Sequence, residues 1–559
     1  MNGTRQIISS LMPHLMLAPI ALPLATAALL LLVREERERL KMTVNIGSTA
    51  LGLLVAVALL IWSDEGTTQT VGVYLPGNWP ASFGIVLALD RLSALMLVTS
   101  STVALASVVF ACARWHRAGV LFHVLFQFQL MGLSGAFLTA DLFNLFVFFE
   151  ILLAASYGLL LHGSGQTRVQ SGLHYIAINL AASSLFLIGA AVLYGITGTL
   201  NMADIARAVT ALPDAHRGLL HAGAAILAVA FLIKAGAWPL NFWLVPAYAA
   251  AVAPVGALFT VLTKVGVYAL LRLWPLWFGD AAGESAHWGS VYLSGAGMLT
   301  MAFGAIGILA SQHLTNLAGH AAILSSGTLL AALGMGSPTV TAGLMYYLPG
   351  STWAVACLFL LADLISRWRN DGASTAPHQR DDAPFLTPEL LPSENFNLDD
   401  EQQIVVGRAI RGATAFLGLA FLLSTLLMAG LPPLSGFIGK FAMLSAALAG
   451  LNVQDLSNTQ PPAMIWLLLI LMLSTGLATL MALTRVGMRQ FWSAHDRNPP
   501  QLRVLEGLPI TALLVACITL ALCAGPAMRY TTLAAQALYT PAAYIGDILS
   551  AQPVGTPAR

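Results

Sequence analysis

At 559 residues, 57% hydrophobic and only 9% charged, the chain has a mean hydropathy of +0.78. A soluble domain carries roughly a quarter charged residues, so this composition excludes a protein with a wholly water-facing surface. The net charge of +1 gives no basis for a nucleic-acid partner. No P-loop, dinucleotide fingerprint, CxxC or HExxH stands in the sequence, so neither a cofactor nor a metal is expected.

Apolar runs of about 20 residues, each able to cross a ~30 Å hydrocarbon core, recur along the chain. Fourteen spans are predicted: 15–33, 43–62, 91–112, 120–140, 142–161, 172–194, 219–243, 254–273, 288–309, 317–335, 343–365, 407–447, 463–484 and 507–525. The expected fold class is therefore an all-α polytopic membrane protein. The first run lacks a basic flank and a small-residue cleavage site, and reads as a transmembrane helix rather than a signal peptide. Basic residues collect in alternate loops, among them Arg34, Arg37, Lys41, Arg114, Arg117, Arg168, Arg367, Arg485 and Arg503. By the positive-inside rule these loops face the cytoplasm, and both termini face the periplasm of a bacterial inner membrane.

Between the sixth and seventh spans, Asn201 to Arg217 mixes apolar and charged residues at helical spacing, as an amphipathic surface helix does. The segment 367–406, rich in Asp and Glu, reads as a solvated cytoplasmic loop or a docking segment for a partner subunit. Cys112, Cys357, Cys517 and Cys523 lie in or beside apolar spans, where packing explains them better than a disulfide or a metal.

The chain has 22 arginines and only four lysines, and three of the four, Lys234, Lys264 and Lys440, fall within apolar spans. A charge at mid-bilayer costs about 2.5–3.5 kcal/mol on insertion scales, so each needs a reason to be there. Arginine keeps its proton at any usable pH, whereas a buried lysine can release one. A helical residue that must gain and lose protons is thus expected to be lysine. Snorkelling to the interface and static ion pairing are the alternatives.

Local sequence favours a working role. Lys234 stands in Phe-Leu-Ile-Lys-Ala-Gly236-Ala-Trp-Pro239, and the proline, which lacks a backbone donor, breaks the helix beside it. Lys440 follows Gly430-Leu-Pro432-Pro433-Leu-Ser-Gly436-Phe-Ile-Gly439, a second break. Interrupted helices in corresponding places of two halves point to an inverted-repeat transporter with its ion sites at the breaks. Glu150, inside the fifth span, is the carboxylate placed to work with these lysines: an acid at variable distance from a lysine is a proton switch. Asp141, nine residues earlier, reads as a helix-start residue. His320 is a possible relay; His123 is either a relay or a packing histidine, and Asp363 lies near the inner end of its span.

Four stretches carry a resemblance. Phe137-Leu-Thr-Ala-Asp-Leu-Phe-Asn-Leu-Phe-Val-Phe-Phe-Glu150, Thr197-Gly-Thr-Leu-Asn-Met-Ala-Asp204, Lys264-Val-Gly-Val-Tyr268 and Gly430-Leu-Pro-Pro-Leu-Ser-Gly-Phe-Ile-Gly-Lys440 resemble the D subunit of Mrp/Pha-type multisubunit monovalent cation/proton antiporters. More distantly the chain resembles the antiporter-like subunits of respiratory complex I. The resemblance covers roughly 70–490 and implies fourteen helices, with helices 7 and 12 broken. It implies N-terminal helices 1–3 (1–119), inverted five-helix repeats at 120–273 and 288–484, and a last helix with its tail (507–559). It also implies a polar axis on which Glu150 pairs with Lys234 and protons pass by Lys264 to Lys440, within an assembly of other antiporter subunits that exchanges protons for Na⁺ or K⁺. The sequence departs from the family at Leu244-Val-Pro246-Ala-Tyr, one residue longer than the usual stretch. It departs again at Tyr347-Leu-Pro-Gly-Ser351-Thr, where a relay histidine of relatives is absent. His320, Ser325, Ser326 and water are the candidates to fill that gap. The other function class is the proton-pumping membrane subunit of a redox complex, of complex I or membrane-bound hydrogenase type, which would use the same lysines.

Overall fold

The computed structural model describes residues 14–34, 36–65, 71–81, 83–119, 121–374, 412–452, 461–491 and 502–553. Helices dominate: α1 (Ala18–Leu32), α2 (Glu38–Glu65), α3 (Arg91–Ala113), α4 (Phe122–Leu138), α5 (Leu142–Leu160), α6 (Gln166–Thr197), α7 (Met202–Thr210), α8 (Asp214–Ala235), α9 (Leu244–Ala250) and α10 (Ala253–Phe278). They continue with α11 (Ser290–Ala310), α12 (Leu314–Leu333), α13 (Pro338–Ser374), α14 (Gly412–Ala429), α15 (Ser435–Asn452), α16 (Pro462–Phe491), α17 (Val504–Leu522), α18 (Ala524–Tyr539) and α19 (Ala542–Leu549). One two-stranded antiparallel ribbon pairs β1 (Gly72–Tyr74) with β2 (Leu87–Leu89). Twelve of the described helices are long and apolar enough to span a bilayer, and α1, α4 and α15 are shorter apolar helices. Each of the fourteen predicted spans falls on one of these helices, the span 407–447 being divided between α14 and α15.

Helix starts follow local chemistry. The Asp90 side chain accepts from Ser93 N while Ser93 answers with its hydroxyl, and Asp141 caps α5 through Asn144 N at 2.8 Å. Asp141 is thus the helix-start residue its position implied. Helices apolar all round are buried: nearly every residue of α10 is enclosed, as are most of α12 and α13. These three form the centre of the bundle. Helices α2, α6 and α16 lie outside it and expose large apolar side chains such as Leu54, Leu180 and Ile470.

One end of the bundle is rich in arginine. There Arg168 donates to Ala250 O, Arg485 to Leu309 O, Arg489 to Gln312 O and Arg503 to Ala113 O. Asp363 lies at this end too, paired with Arg367 at 3.1 Å and bonded by Trp115, so it is part of an end-tying ion network that also includes Glu506.

At the opposite end, Arg272 grips Asp90 through two contacts of 2.6 Å between the rings of Tyr268 and Tyr544. Burial alone would push the Asp90 carboxyl up. The charge and hydrogen bonds of Arg272, with those of Ser93, instead hold it below the usual carboxylate range.

Three expectations are refined. The amphipathic helix stops at Thr210, and its apolar side packs on α10 and α19 rather than lying free, while Arg217 belongs to α8. The C-terminal tail folds into α18 and α19, which cross the end opposite the arginines, with Tyr539 bonded to Thr341 and Tyr530 to Ser63. The start of the acidic segment 367–406 extends α13 to Ser374, and the rest lies outside the described residues. Cys112, Cys357 and Cys517 are buried and free, and Cys523 is exposed.

Candidate functional site

Both predicted helix breaks are present. Helix α8 ends one residue after Lys234, at Gly236 with φ +72°, and the chain resumes as α9 after the turn that holds Pro239. Helix α14 ends at Ala429 before Gly430 (φ +77°), and α15 begins after Pro432 and Pro433. The Trp238–Pro239 and Pro432–Pro433 bonds are both cis. Glycine is required at Gly436, where a Cβ would stand 2.1 Å from Leu427 O: the first turn of α15 presses against the end of α14.

Each lysine has distinct surroundings. The ammonium of Lys234 sits 4.9 Å from the centre of the Phe149 ring, a cation–π distance. A cavity of about 30 Å³ lies beside it, lined by Tyr175, Asn179 and Trp243 among others, with room for a water molecule. Two buried donors of the break, Asn241 Nδ2 and Trp243 Nε1, have no hydrogen-bond partner among the described residues, as expected where water enters a broken helix.

Glu150 is half-buried on α5 and accepts a hydrogen bond from Ser183 Oγ of α6. Its charge acts on Lys234, but the two make no ion pair; Ser183 holds the carboxylate instead.

Lys264 is 1% exposed, which removes the snorkelling alternative for it, and donates to Ser326 Oγ at 3.2 Å. Its helix meets that of Lys234 backbone to backbone, since a Cβ on Gly266 would come within 2.6 Å of Ala235 N. Next to Ser326 on α12, Ser325 donates to Ser351 Oγ of α13 at 3.0 Å, and the Tyr347 hydroxyl lies among Ser325, Thr328 and Ser351. Tyr347 in turn packs on Gly439, the neighbour of Lys440. Lys440, also buried, reaches back to Ala429 O at 3.3 Å, a carbonyl of the last turn of α14. A cation at a helix C-terminus is favoured by the unpaired carbonyls there.

The structure thus places Lys264 and Lys440 on either side of a set of hydroxyls, Ser326, Ser325, Ser351 and Tyr347. His320 stands apart from this set: its Nδ1 faces Asn316 O at 2.9 Å and Ser311 Oγ at 3.2 Å, against Gly307 of α11. Sequence reasoning missed Tyr347, Ser183 and Gln129. Gln129 is fully buried on α4 with both amide atoms unpartnered among the described residues, three residues before Gly132, which touches α5, and eight before Phe137, which touches Tyr268 of α10. For Gln129 an amide within an apolar run was the available signal; the hydroxyls of Tyr347 and Ser183 gave none, since such groups also bond the carbonyls of their own helices.

Fold and site together define a polytopic membrane protein with paired broken helices and buried titratable groups at and between the breaks. Residues 139–454 match the family model described as the transmembrane part of NADH:quinone oxidoreductase and Mrp antiporters, and the chain belongs to that family. It is 50% identical over 545 residues to a protein of Rhizobium meliloti strain 1021 named as the probable D subunit of a K⁺/H⁺ antiporter, covering 97% of this chain and 99% of that one. It is 31% identical over 544 residues to the D subunit of the Na⁺/H⁺ antiporter of Alkalihalophilus pseudofirmus, covering 96% and 100%. Among solved structures it resembles a chain of the Mrp complex from Dietzia sp. DQ12-45-1b, with TM-score 0.79, 25% identity and 97% and 100% coverage. A chain of respiratory complex I from Thermus thermophilus shares the fold, with TM-score 0.73, 22% identity and 96% and 100% coverage.

Proposed function

We propose that this chain is the proton-translocating D-type subunit of a multisubunit monovalent cation/proton antiporter. The observation that carries the reading is the set of three lysines inside the bundle, Lys264 and Lys440 buried and Lys234 half-buried, two at helix breaks and one bonded to the hydroxyl set between them. Likeness at 50% identity to a probable D subunit of a K⁺/H⁺ antiporter favours the antiporter over the redox-complex reading, for which the complex I chain is 22% identical.

In this mechanism Glu150 alternates between Ser183, where it rests here, and the ammonium of Lys234. With the carboxylate close, Lys234 holds its proton; with it withdrawn, the proton leaves. Water in the cavity beside Lys234 receives it, and Lys264, Ser326, Ser325, Ser351 and Tyr347 carry it towards Lys440. The breaks supply freed backbone groups that solvate the charge in a setting where lipid cannot. The halves holding the breaks are read as inverted repeats at 120–273 and 288–484, with the arginine-rich end in the cytoplasm and both termini in the periplasm. The assembly exchanges protons for Na⁺ or K⁺, with other antiporter subunits as partners.

The test is cation-dependent proton movement in inverted vesicles from cells that express the whole assembly. Added Na⁺ or K⁺ should collapse an imposed pH gradient, and omitting this chain should abolish the effect. A preparation lacking the chain that still exchanges at the full rate would overturn the assignment.

A further inference from the structure

Away from the lysines, a second buried polar cluster lies at the arginine-rich end, where α2, α3, α4 and α5 meet. Asn45 of α2 donates from its amide to His123 Nδ1 of α4 at 2.7 Å, and Gln127 Nε2, one turn along α4, donates to Asn45 Oδ1 at 2.6 Å. Thr49 joins them, accepting from Gln127 Nε2 at 3.3 Å and donating to Asn45 O at 2.8 Å. All four side chains are buried. Because an amide nitrogen can only donate, His123 Nδ1 must accept, and the ring proton sits on Nε2. That nitrogen is buried and has no partner among the described residues.

His116, in the turn after α3, has its ring centre 5.6 Å from that of His123. Its Nδ1 lies 3.2 Å from Ala111 O, which can only accept, so its Nε2 is left as an acceptor, also buried and unpartnered. A donor and an acceptor without partners thus belong to two adjacent imidazoles. Below them, Gln127 Oε1 is buried and unpartnered, and its side chain lines a cavity of about 20 Å³ with Ser48, Thr49, Ser100, Ser101 and Ser134. The cavity can hold one water.

We propose that His123, beside His116, is a proton-binding site on the arginine-rich side, separate from the Glu150–lysine axis, whose occupancy controls how α2 packs on α4. A proton on His123 Nδ1 turns that atom into a donor facing the donor Asn45 Nδ2. Turning the amide over to offer its oxygen would instead set its NH₂ against Gln127 Nε2. Turning Gln127 over as well would restore that contact through its Oε1 but take its Nε2 from Thr49, so a proton on His123 either breaks a bond or rewires the network in a buried setting, where an unmade bond is costly. The titratable or charged groups acting on His123 are His116 from the turn after α3, Lys41 from α2 and His162 from the turn after α5, and all are basic. Burial and these basic groups all oppose a proton there, so the site fills only in acid, and a protonated imidazole adds to the push between α2 and α4.

The displacement reaches the transport residues because α4 is packed too tightly to move alone. A Cβ on Gly132 would meet Leu152, and one on Gly135 would meet Phe148, both of α5, the helix of Glu150. The Phe137 carbonyl of α4 accepts from Tyr268 of α10, one turn from Lys264. Acidification on the arginine-rich side therefore slows exchange, by about five-fold or more, the usual range of coupling between two sites.

The test uses the assembled complex in liposomes, varying pH on the arginine-rich side between 8 and 4. His123→Gln can still accept from Asn45 through its amide oxygen but cannot be protonated. Normalised to its own maximum, the wild-type rate should fall with pH on that side while the variant's profile is flat. Hydrogen exchange gives a second readout that does not need transport: amides of residues 41–52 and 122–134 should lose protection on acidification in the wild type and not in His123→Gln. A variant with the wild-type pH profile and the wild-type change in protection would overturn the proposal. The transport arm rests on the antiporter reading, and Glu150→Ala separates the two: exchange surviving that change defeats the antiporter mechanism, whereas its loss together with an unaltered His123→Gln profile defeats this site alone.

Discussion

Replacing Ser326 by alanine removes the hydroxyl that receives the Lys264 ammonium. The bond is 3.2 Å long, both side chains are enclosed, and among the described residues it is the only hydrogen bond that ammonium makes. A hydrogen bond to a charged group contributes about 1.5–3 kcal/mol net, and the cost is felt in full where water cannot replace it. At ~1.4 kcal/mol per factor of ten, a proton hand-off through this hydroxyl should slow about 10- to 100-fold. Ser326→Thr keeps an oxygen at the same branch point and should retain most of the rate. The assay is proton release in liposomes carrying the assembled complex, followed with an internal pH dye during Na⁺ or K⁺ pulses, at equal amounts of assembled protein. A Ser326→Ala rate within about two-fold of wild type would refute the relay through α12.

Three further outcomes are expected. Lys440→Arg keeps the positive charge beside Ala429 O but cannot give up its proton, so exchange should fall to background while assembly persists; an active variant would make Lys440 a fixed anchor. Asp90→Asn strands the guanidinium of Arg272, 5% exposed, and should destabilise the fold by about 3–5 kcal/mol, read as a lowered melting temperature in detergent; an unchanged midpoint would show that the pair does not hold this end together. Purified alone, the chain should insert into liposomes without exchanging cations for protons, because its interior offers lysines and few carboxylates to replace a cation's hydration shell; robust exchange by the single chain would place the whole antiporter in one polypeptide.

What was legible in the sequence was what carries a large local cost. Charge in an apolar span and proline in a helix are each costly wherever they stand, so Lys234, Lys264, Lys440 and both breaks could be read from single positions. Hydroxyls are different. Thr263 and Ser424 bond the carbonyls of their own helices, and nothing in sequence distinguishes them from Ser326, which faces a lysine. For the same reason Ser183, which holds Glu150, was invisible until α5 and α6 were packed together. The resemblance paired Glu150 with Lys234, but which partner the carboxylate holds depends on the tertiary fold. Helices α18 and α19 escaped notice because they are shorter than a membrane crossing and are held by contacts to α13, α10 and α7 distant in sequence.

The central claim is that protons cross through this chain by way of Glu150, Lys234, Lys264 and Lys440. Its most direct measurement is cation-driven proton movement in liposomes carrying the assembled complex with Glu150→Ala or Lys234→Ala, alongside gel filtration to verify assembly. Loss of exchange in each variant with the complex intact is the predicted result. Exchange near the wild-type rate in either one would contradict the account and remove the pair from the proton path.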